Sequence, residues 1–233
     1  MKTIKIAHLY YDLMNLYGEN GNIKCLTKYL EQQDFKVEIS LLSKDDDIDF
    51  KSYDLFYIGS GNMESFTITL EDLKKYKEEL KQTIEEKFFI ITGNALNLFG
   101  TTYQSKKNSI ACLDLLNYSS KDHRKRIVRE QLYKTDLINE EVIGFENRSS
   151  SLIDVKETSL FYEKESNKKE GIIHNNFYGT YLLGPLLIRN PYFTNYIVKQ
   201  ICETFDQEFH EVLDHFELEA YENYKNQILI ETK

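Results

Sequence analysis

Residues 87–100 read KFFIITGNALNLFG. The run FFII is apolar at every position, the pattern of a strand covered on both faces. Gly93 breaks the run, and residues 95–99 resume on a helical spacing. A buried strand that passes through a glycine into a helix is a unit of a parallel sheet, because parallel strands are joined by crossovers that are usually helical. Towards the N-terminus the same rhythm repeats. Residues 3–9 form a strand, and a loop over 10–21 carries Gly18 and Gly21. Ile23, Leu26 and Leu30 mark a helix ending near Gln33, and residues 35–41 form a second strand. Residues 53–58 make a third strand, stopped by Gly59-Ser60-Gly61. Leu70, Leu73, Tyr76, Leu80 and Ile84 then give a helical stripe. The alternation predicts an α/β fold with a mostly parallel central sheet flanked by helices. Ligands of such folds bind at the carboxyl ends of the strands. The 59–61 and 92–94 turns both follow such ends.

Residues 101–187 are less regular and read as a more β-rich middle. Within them KDHRKRIVR, residues 121–129, is either a basic contact patch or a solvated loop or strand edge, and flanking acidic residues favour the solvated reading. Beyond Pro191 the chain turns helical. Tyr192, Tyr196, Ile197 and Ile201 mark one helix, and Val212, Phe216, Ala220 and Tyr224 mark another, with His210 and His215 on its faces. No repeat, low-complexity tract or linker interrupts the sequence, so residues 1–233 read as a single domain.

Composition removes several classes of function. With 29 Lys plus Arg against 38 Asp plus Glu, the net charge of -9 opposes nucleic-acid binding, which needs clustered positive charge. Cys25, Cys112 and Cys202 form neither a disulfide framework nor a metal-ligand set, which fits a reducing, cytoplasmic setting. No run reaches the roughly 18 apolar residues of a membrane span, and the start does not read as a signal peptide.

Four segments carry a resemblance to the GatD branch of the CobB/CobQ-like class I glutamine amidotransferases. HLYYDLMNLYGENGNI, residues 8–23, is similar to HLYPDLMNLYGDRGNI. LFYIGSGN, residues 55–62, resembles a strand ending in an IGGGQD-type turn. VIGFEN, residues 142–147, resembles the GFENH segment, and GTYLLGPLLIRNP, residues 179–191, resembles GTYLHGPLLPKNP. The resemblance implies the class I, flavodoxin-like fold and no cofactor. It also implies a glutaminase subunit that partners a MurT-like Mur ligase, as a heterodimer, in amidation of the D-glutamate of lipid II.

Set against the family's AICGGYQLLG, residues 90–100 put Gly93 where the nucleophilic cysteine stands. The family's histidine in GTYLHGPLL falls on Leu183. The histidine of GFENH falls on Arg148, and the arginine shortly after it, a glutamine-binding residue by the resemblance, falls on Ser151. Amide hydrolysis by this route needs a thiolate and a group that takes and returns its proton. Neither glycine nor leucine supplies one.

An oxyanion hole built from backbone N–H groups would survive such losses, with Ser60 or Gly61 and Asn94 as donors. The same turn also reads as a plain tight turn. It lacks the Lys-Ser/Thr pair of a phosphate loop. Thr92 stands beside the elbow with its side chain expected on the far side of the strand. The three cysteines are expected to be buried apolar residues, His174 to be structural, and His8 to pack at the first strand's end.

Three functions follow. The chain is a non-catalytic partner subunit that has lost glutaminase activity. Or it is an active glutaminase with another nucleophile. Or it is a module that holds a small amino acid without cleaving it, a reading that the loss of arginine at Ser151 weakens.

Overall fold

The computed structural model describes residues 1–231. Its strands are β1 (Lys2–Leu9), β2 (Phe35–Leu42), β3 (Leu55–Ile58), β4 (Phe88–Thr92), β5 (Thr102–Gln104), β6 (Ser109–Ala111), β7 (Ser119–Lys134), β8 (Val142–Ile153), β9 (Phe161–Glu163), β10 (Lys169–Glu170), β11 (Ile172–His174), β12 (Phe177–Thr180) and β13 (Leu182–Leu183). The helices are α1 (Asn20–Glu31), α2 (Met63–Leu73), α3 (Lys77–Glu86), α4 (Leu96–Phe99), α5 (Leu186–Arg189), α6 (Pro191–Thr204) and α7 (His215–Glu231).

One sheet runs β11-β12-β4-β3-β1-β2, parallel throughout except for the antiparallel edge strand β11. The three strands expected to share a parallel sheet are thus neighbours in the order β1, β3, β4. Alternation of side chains splits the core into two layers. Ala7, Leu9, Phe56, Ile58, Phe89 and Ile91 face α2 and α3. Ile4, Ile6, Leu55, Tyr57, Phe88 and Ile90 face α1 and α6. Phe89 stacks between Phe56 and Phe177, with centroids 4.8 and 5.9 Å away. Fully burying a side chain of this size contributes about 1.5–3 kcal/mol.

The stripe from Leu70 to Ile84 is not one helix. A 3₁₀ turn over Lys74–Tyr76 separates α2 from α3. Leu70 and Leu73 lie on α2, Tyr76 ends the 3₁₀ turn, and Leu80 and Ile84 lie on α3.

The β-rich middle forms a second sheet, β10-β9-β7-β5-β6, with β8 paired to β7 and β13 paired to β8. The 121–129 run lies on β7, as a strand edge. Its pairing with β8 jumps from Asp122 opposite Ser150 to Ile127 opposite Arg148, so residues 123–126 bulge out against Ser149. The second C-terminal helix begins at His215, later than Val212 suggests. His210 lies in the preceding loop, where its backbone N–H donates to Gln33 Oε1 at 2.7 Å. Tyr221 and Ile228 of α7 pack on Leu132 and Ile143.

Candidate functional site

The chain turns that follow β1, β3, β4 and β12 meet at one end of the parallel sheet. Gly93 begins a 3₁₀ turn directly after β4, with φ +63. Left-handed backbone favours glycine, because a Cβ there clashes with the chain itself. Space excludes a side chain as well. A Cβ on Gly93 would lie 2.5 Å from Ser60 Cβ, 2.6 Å from Ser60 Oγ and 2.9 Å from Leu183 Cδ2. Gly93, Ser60 and Leu183 are therefore in contact.

Asn94 fills the other side of the turn. Its Oδ1 accepts from Gly61 N–H at 2.9 Å and from the Ser60 hydroxyl at 3.0 Å, and its Nδ2 donates to Gly61 O at 2.8 Å. Ser60 N–H donates to Glu19 Oε1 at 3.2 Å. The N–H groups of Ser60 and Gly61 are thus both used inside the protein. An oxyanion reaching this turn would have to displace Glu19 or Asn94 from them.

Below the turn lies a buried polar knot. Glu19 Oε2 accepts from Thr92 Oγ1 at 2.7 Å and from Tyr57 OH. Asn22 Nδ2 donates to Tyr57 OH at 2.8 Å, while Asn22 Oδ1 accepts from Leu187 N–H at 2.8 Å and ties α1 to α5. Burial raises the Glu19 carboxyl above its usual range, against hydrogen bonds that lower it. The Thr92 hydroxyl is turned into this knot, away from the open side. His8 sits beside it, fully buried, its ring edge-on to Tyr57 at 5.2 Å, with no hydrogen-bond partner for either ring nitrogen among the described residues. Burial pushes it down to about 4, so it is neutral near pH 7 and packs as an aromatic ring.

The opposite wall comes from the second sheet. Leu183 on β13 pairs with Phe145 on β8, which brings the 142–147 and 179–191 segments together. Arg148 lies with its guanidinium 5.0 Å over the Tyr181 ring. Its Nε donates to Glu146 Oε1 at 2.6 Å, and its Nη1 bonds Ser150 O and Ser151 Oγ. Glu146, fully buried, also takes Arg129, which in turn holds Glu163. Between floor and wall is a cleft of about 260 Å³, lined by Ser60, Gly61, Gly93 and Asn94 on one side and by Arg126, Asn147 and Arg148 on the other.

Residues 5–191 match the CobB/CobQ-like glutamine amidotransferase domain. The chain belongs to that family. Among curated proteins it is 27% identical over 210 residues to the lipid II isoglutaminyl synthase (glutamine-hydrolyzing) subunit GatD of Staphylococcus aureus, covering 87% of this chain and 86% of that one. The subunit of the same name from Streptococcus pneumoniae is 29% identical, over 80% of this chain and 76% of that one. Among solved structures, a glutamine amidotransferase from Thermotoga maritima aligns with TM-score 0.56 at 11% identity, covering 97% of this chain and 92% of that one. A second glutamine amidotransferase gives 0.55 at 9% identity, covering 85% and 97%. These two likenesses support the class I fold.

Within this amidotransferase fold no cysteine or histidine lines the cleft among the described residues. Cys25 lies half-buried on α1, Cys112 buried after β6 and Cys202 buried on α6. Burial pushes their thiols up, Cys25 to about 12 and the other two to about 11, which suppresses thiolate at neutral pH. His174 sits between Glu85 and Glu157 at 3.1 Å each. Burial alone would lower its pKa, but the two carboxylates outweigh that and raise it.

Sequence reasoning missed the density of the turn. Ser60 and Asn94 stand where the family motifs quoted above carry glycine, and those exchanges were the available signal. It also missed Arg126. The bulge on β7 carries this residue to the cleft, where its Nη2 donates to Tyr17 OH at 2.7 Å. No spacing rule marks such a bulge.

Proposed function

We propose that this chain is a GatD-type glutamine amidotransferase subunit that no longer hydrolyses glutamine. It would act as the non-catalytic partner of a MurT-like Mur ligase, in the cytoplasm, in amidation of lipid II or a related peptidoglycan precursor. The pathway and partner rest on the two relatives, each named as a subunit of glutamine-hydrolyzing lipid II isoglutaminyl synthase.

One observation carries the loss of activity. At the elbow after β4 stands Gly93, and the space that a side chain would need is occupied by Ser60 and Leu183. Hydrolysis through a thioester needs a nucleophile there and a base beside it. Removing the nucleophile of such a unit lowers turnover by roughly a million-fold, and removing its base adds little more. Glu19 and Asn94 add a second obstacle by engaging the N–H groups of Ser60 and Gly61. The reading of an active glutaminase with another cysteine nucleophile requires one of three weakly acidic thiols, two buried and one half-buried, none of which lines the cleft.

Co-purification of the chain from its native cell, followed by treatment with an electrophilic glutamine analogue, tests both halves. The expected result is an ATP-dependent ligase as companion and no mass added to this chain. Stoichiometric labelling of any cysteine, or purification without a ligase, would count against the proposal.

A further inference from the structure

The cleft has lost a reaction, but its lining is not neutral. In a chain of net charge -9, no aspartate or glutamate lines it among the described residues, while Arg126 and Arg148 both do. The remaining polar lining is uncharged, including Asn62, Asn97, Asn147 and Tyr17. The arginines differ in how their charge is met. Arg148 belongs to a chain with Glu146, Arg129 and Glu163, in which two cations face two anions. Arg126 has only neutral partners: Asn147 Oδ1, Asn147 O at 3.2 Å and Tyr17 OH at 2.7 Å. No carboxylate pairs with it among the described residues.

Position 151, where the resemblance implies an arginine, is occupied by Ser151. Arg148, three residues earlier, reaches the Ser151 hydroxyl with its own guanidinium. The β7 bulge supplies a second, uncompensated guanidinium across the cleft mouth. A guanidinium presents parallel N–H donors that match a carboxylate in a bidentate fork.

We infer that the cleft is a binding site for a small carboxylate that carries no neighbouring ammonium, held chiefly by Arg126 without any bond being broken. This deepens the non-hydrolytic reading of the same site, and it gives the opposite selectivity to an amino-acid pocket. An α-ammonium in this cleft would find two guanidiniums repelling it and only neutral oxygens to receive it. The carboxylate would take Arg126 from Tyr17, an exchange of a neutral hydrogen bond for a charge-assisted one.

Titration calorimetry on the full chain with glutarate, L-glutamate, L-glutamine and inorganic phosphate tests this. Glutarate and L-glutamate differ by one ammonium group. Glutarate should bind saturably, at least about threefold more tightly than either amino acid. Arg126→Ala should weaken it by about tenfold or more, and Arg126→Lys by less, because lysine keeps the charge without the fork.

Asn62→Asp provides a variant with little risk to folding. Asn62 Oδ1 caps α2 by accepting from Ser65 N–H at 2.8 Å, and aspartate caps equally well. It should weaken glutarate and narrow its advantage over L-glutamate. No saturable glutarate binding, equal or tighter binding of the amino acids, tighter binding of phosphate, or no effect of Arg126→Ala would each overturn the inference. Ammonia release measured in the same L-glutamine samples separates the two readings. Its appearance would sink the non-hydrolytic reading, whereas the selectivity and the Arg126 dependence judge the site.

Discussion

The floor of the cleft and its wall handle buried polarity in opposite ways. On the floor, the groups that could meet a substrate are knotted to one another: Ser60 and Gly61 N–H to Glu19 and Asn94, Thr92 and Tyr57 to Glu19. On the wall, two arginines and two glutamates form a chain of ion pairs, and Arg148 at its end still faces the cleft. A floor closed by hydrogen bonds has little left to offer a transition state, since stabilising one requires donors aimed at developing charge. Beside that chain stands Arg126, with only neutral partners among the described residues, and an unpaired guanidinium can still hold an anion. On the proposed reading, catalysis and binding have come apart within one cleft.

The wall gives the largest expected effect. Glu146→Ala removes the acceptor shared by Arg129 and Arg148 and leaves Arg148, almost wholly buried, without its carboxylate. Urea denaturation should show a loss on the order of 3–5 kcal/mol. A loss of under about 1 kcal/mol would mean that water replaces the pair and the wall is soft.

Next comes Glu170, whose carboxyl accepts from Thr180 Oγ1 at 2.6 Å and from Tyr181 N–H at 2.7 Å where the two sheets meet. Burial pushes it up to about 7, from 4.5. The folded state therefore holds this proton more tightly than the unfolded chain. The resulting stability is fully present below pH 4.5 and is lost as pH rises through 7. Over that window wild type should lose about 3 kcal/mol relative to Glu170→Gln. His8 acts with the opposite sign. Its pKa is depressed to about 4, so its contribution is present above pH 6.5 and is lost as pH falls through 4. His8→Leu should flatten the acid limb and leave the Glu170 limb in place. Parallel stability curves for wild type and Glu170→Gln would remove the buried proton from the account.

The floor gives the smallest and most specific effect. Gly93→Cys adds a Cβ at φ +63 against Ser60 and Leu183, and should destabilise by about 2–3 kcal/mol. Adding Ser60→Gly should return about 1 kcal/mol of that, as coupling between neighbours in contact. Additive effects in this double-mutant cycle would show that Ser60 does not crowd the elbow.

How much of this was legible depends on the kind of signal. The parallel sheet was readable because FFII and its companions bury both faces, and a doubly buried strand has few other homes. The meeting of Gly93 and Leu183 followed from the family motifs, since β12 lies beside β4 and β13 follows directly. The knot was not readable. Glu19, Tyr57 and Thr92 lie far apart in sequence, and a carboxylate in a loop motif looks solvated until the fold buries it. The β7 bulge was hidden for a related reason. KDHRKRIVR alternates poorly, and charge alone does not tell an exposed strand from one that bulges over a cleft. The split of the 70–84 stripe was hidden because i, i+3 steps occur in a continuous α-helix as well, so the spacing does not mark the 3₁₀ turn over Lys74–Tyr76.

The most direct test is ammonia release from L-glutamine by the chain purified with the proposed ligase partner and supplied with ATP. The non-catalytic account predicts release no faster than from the partner alone. Sustained turnover that disappears on Cys25→Ala, Cys112→Ala or Cys202→Ala would contradict it and name the nucleophile.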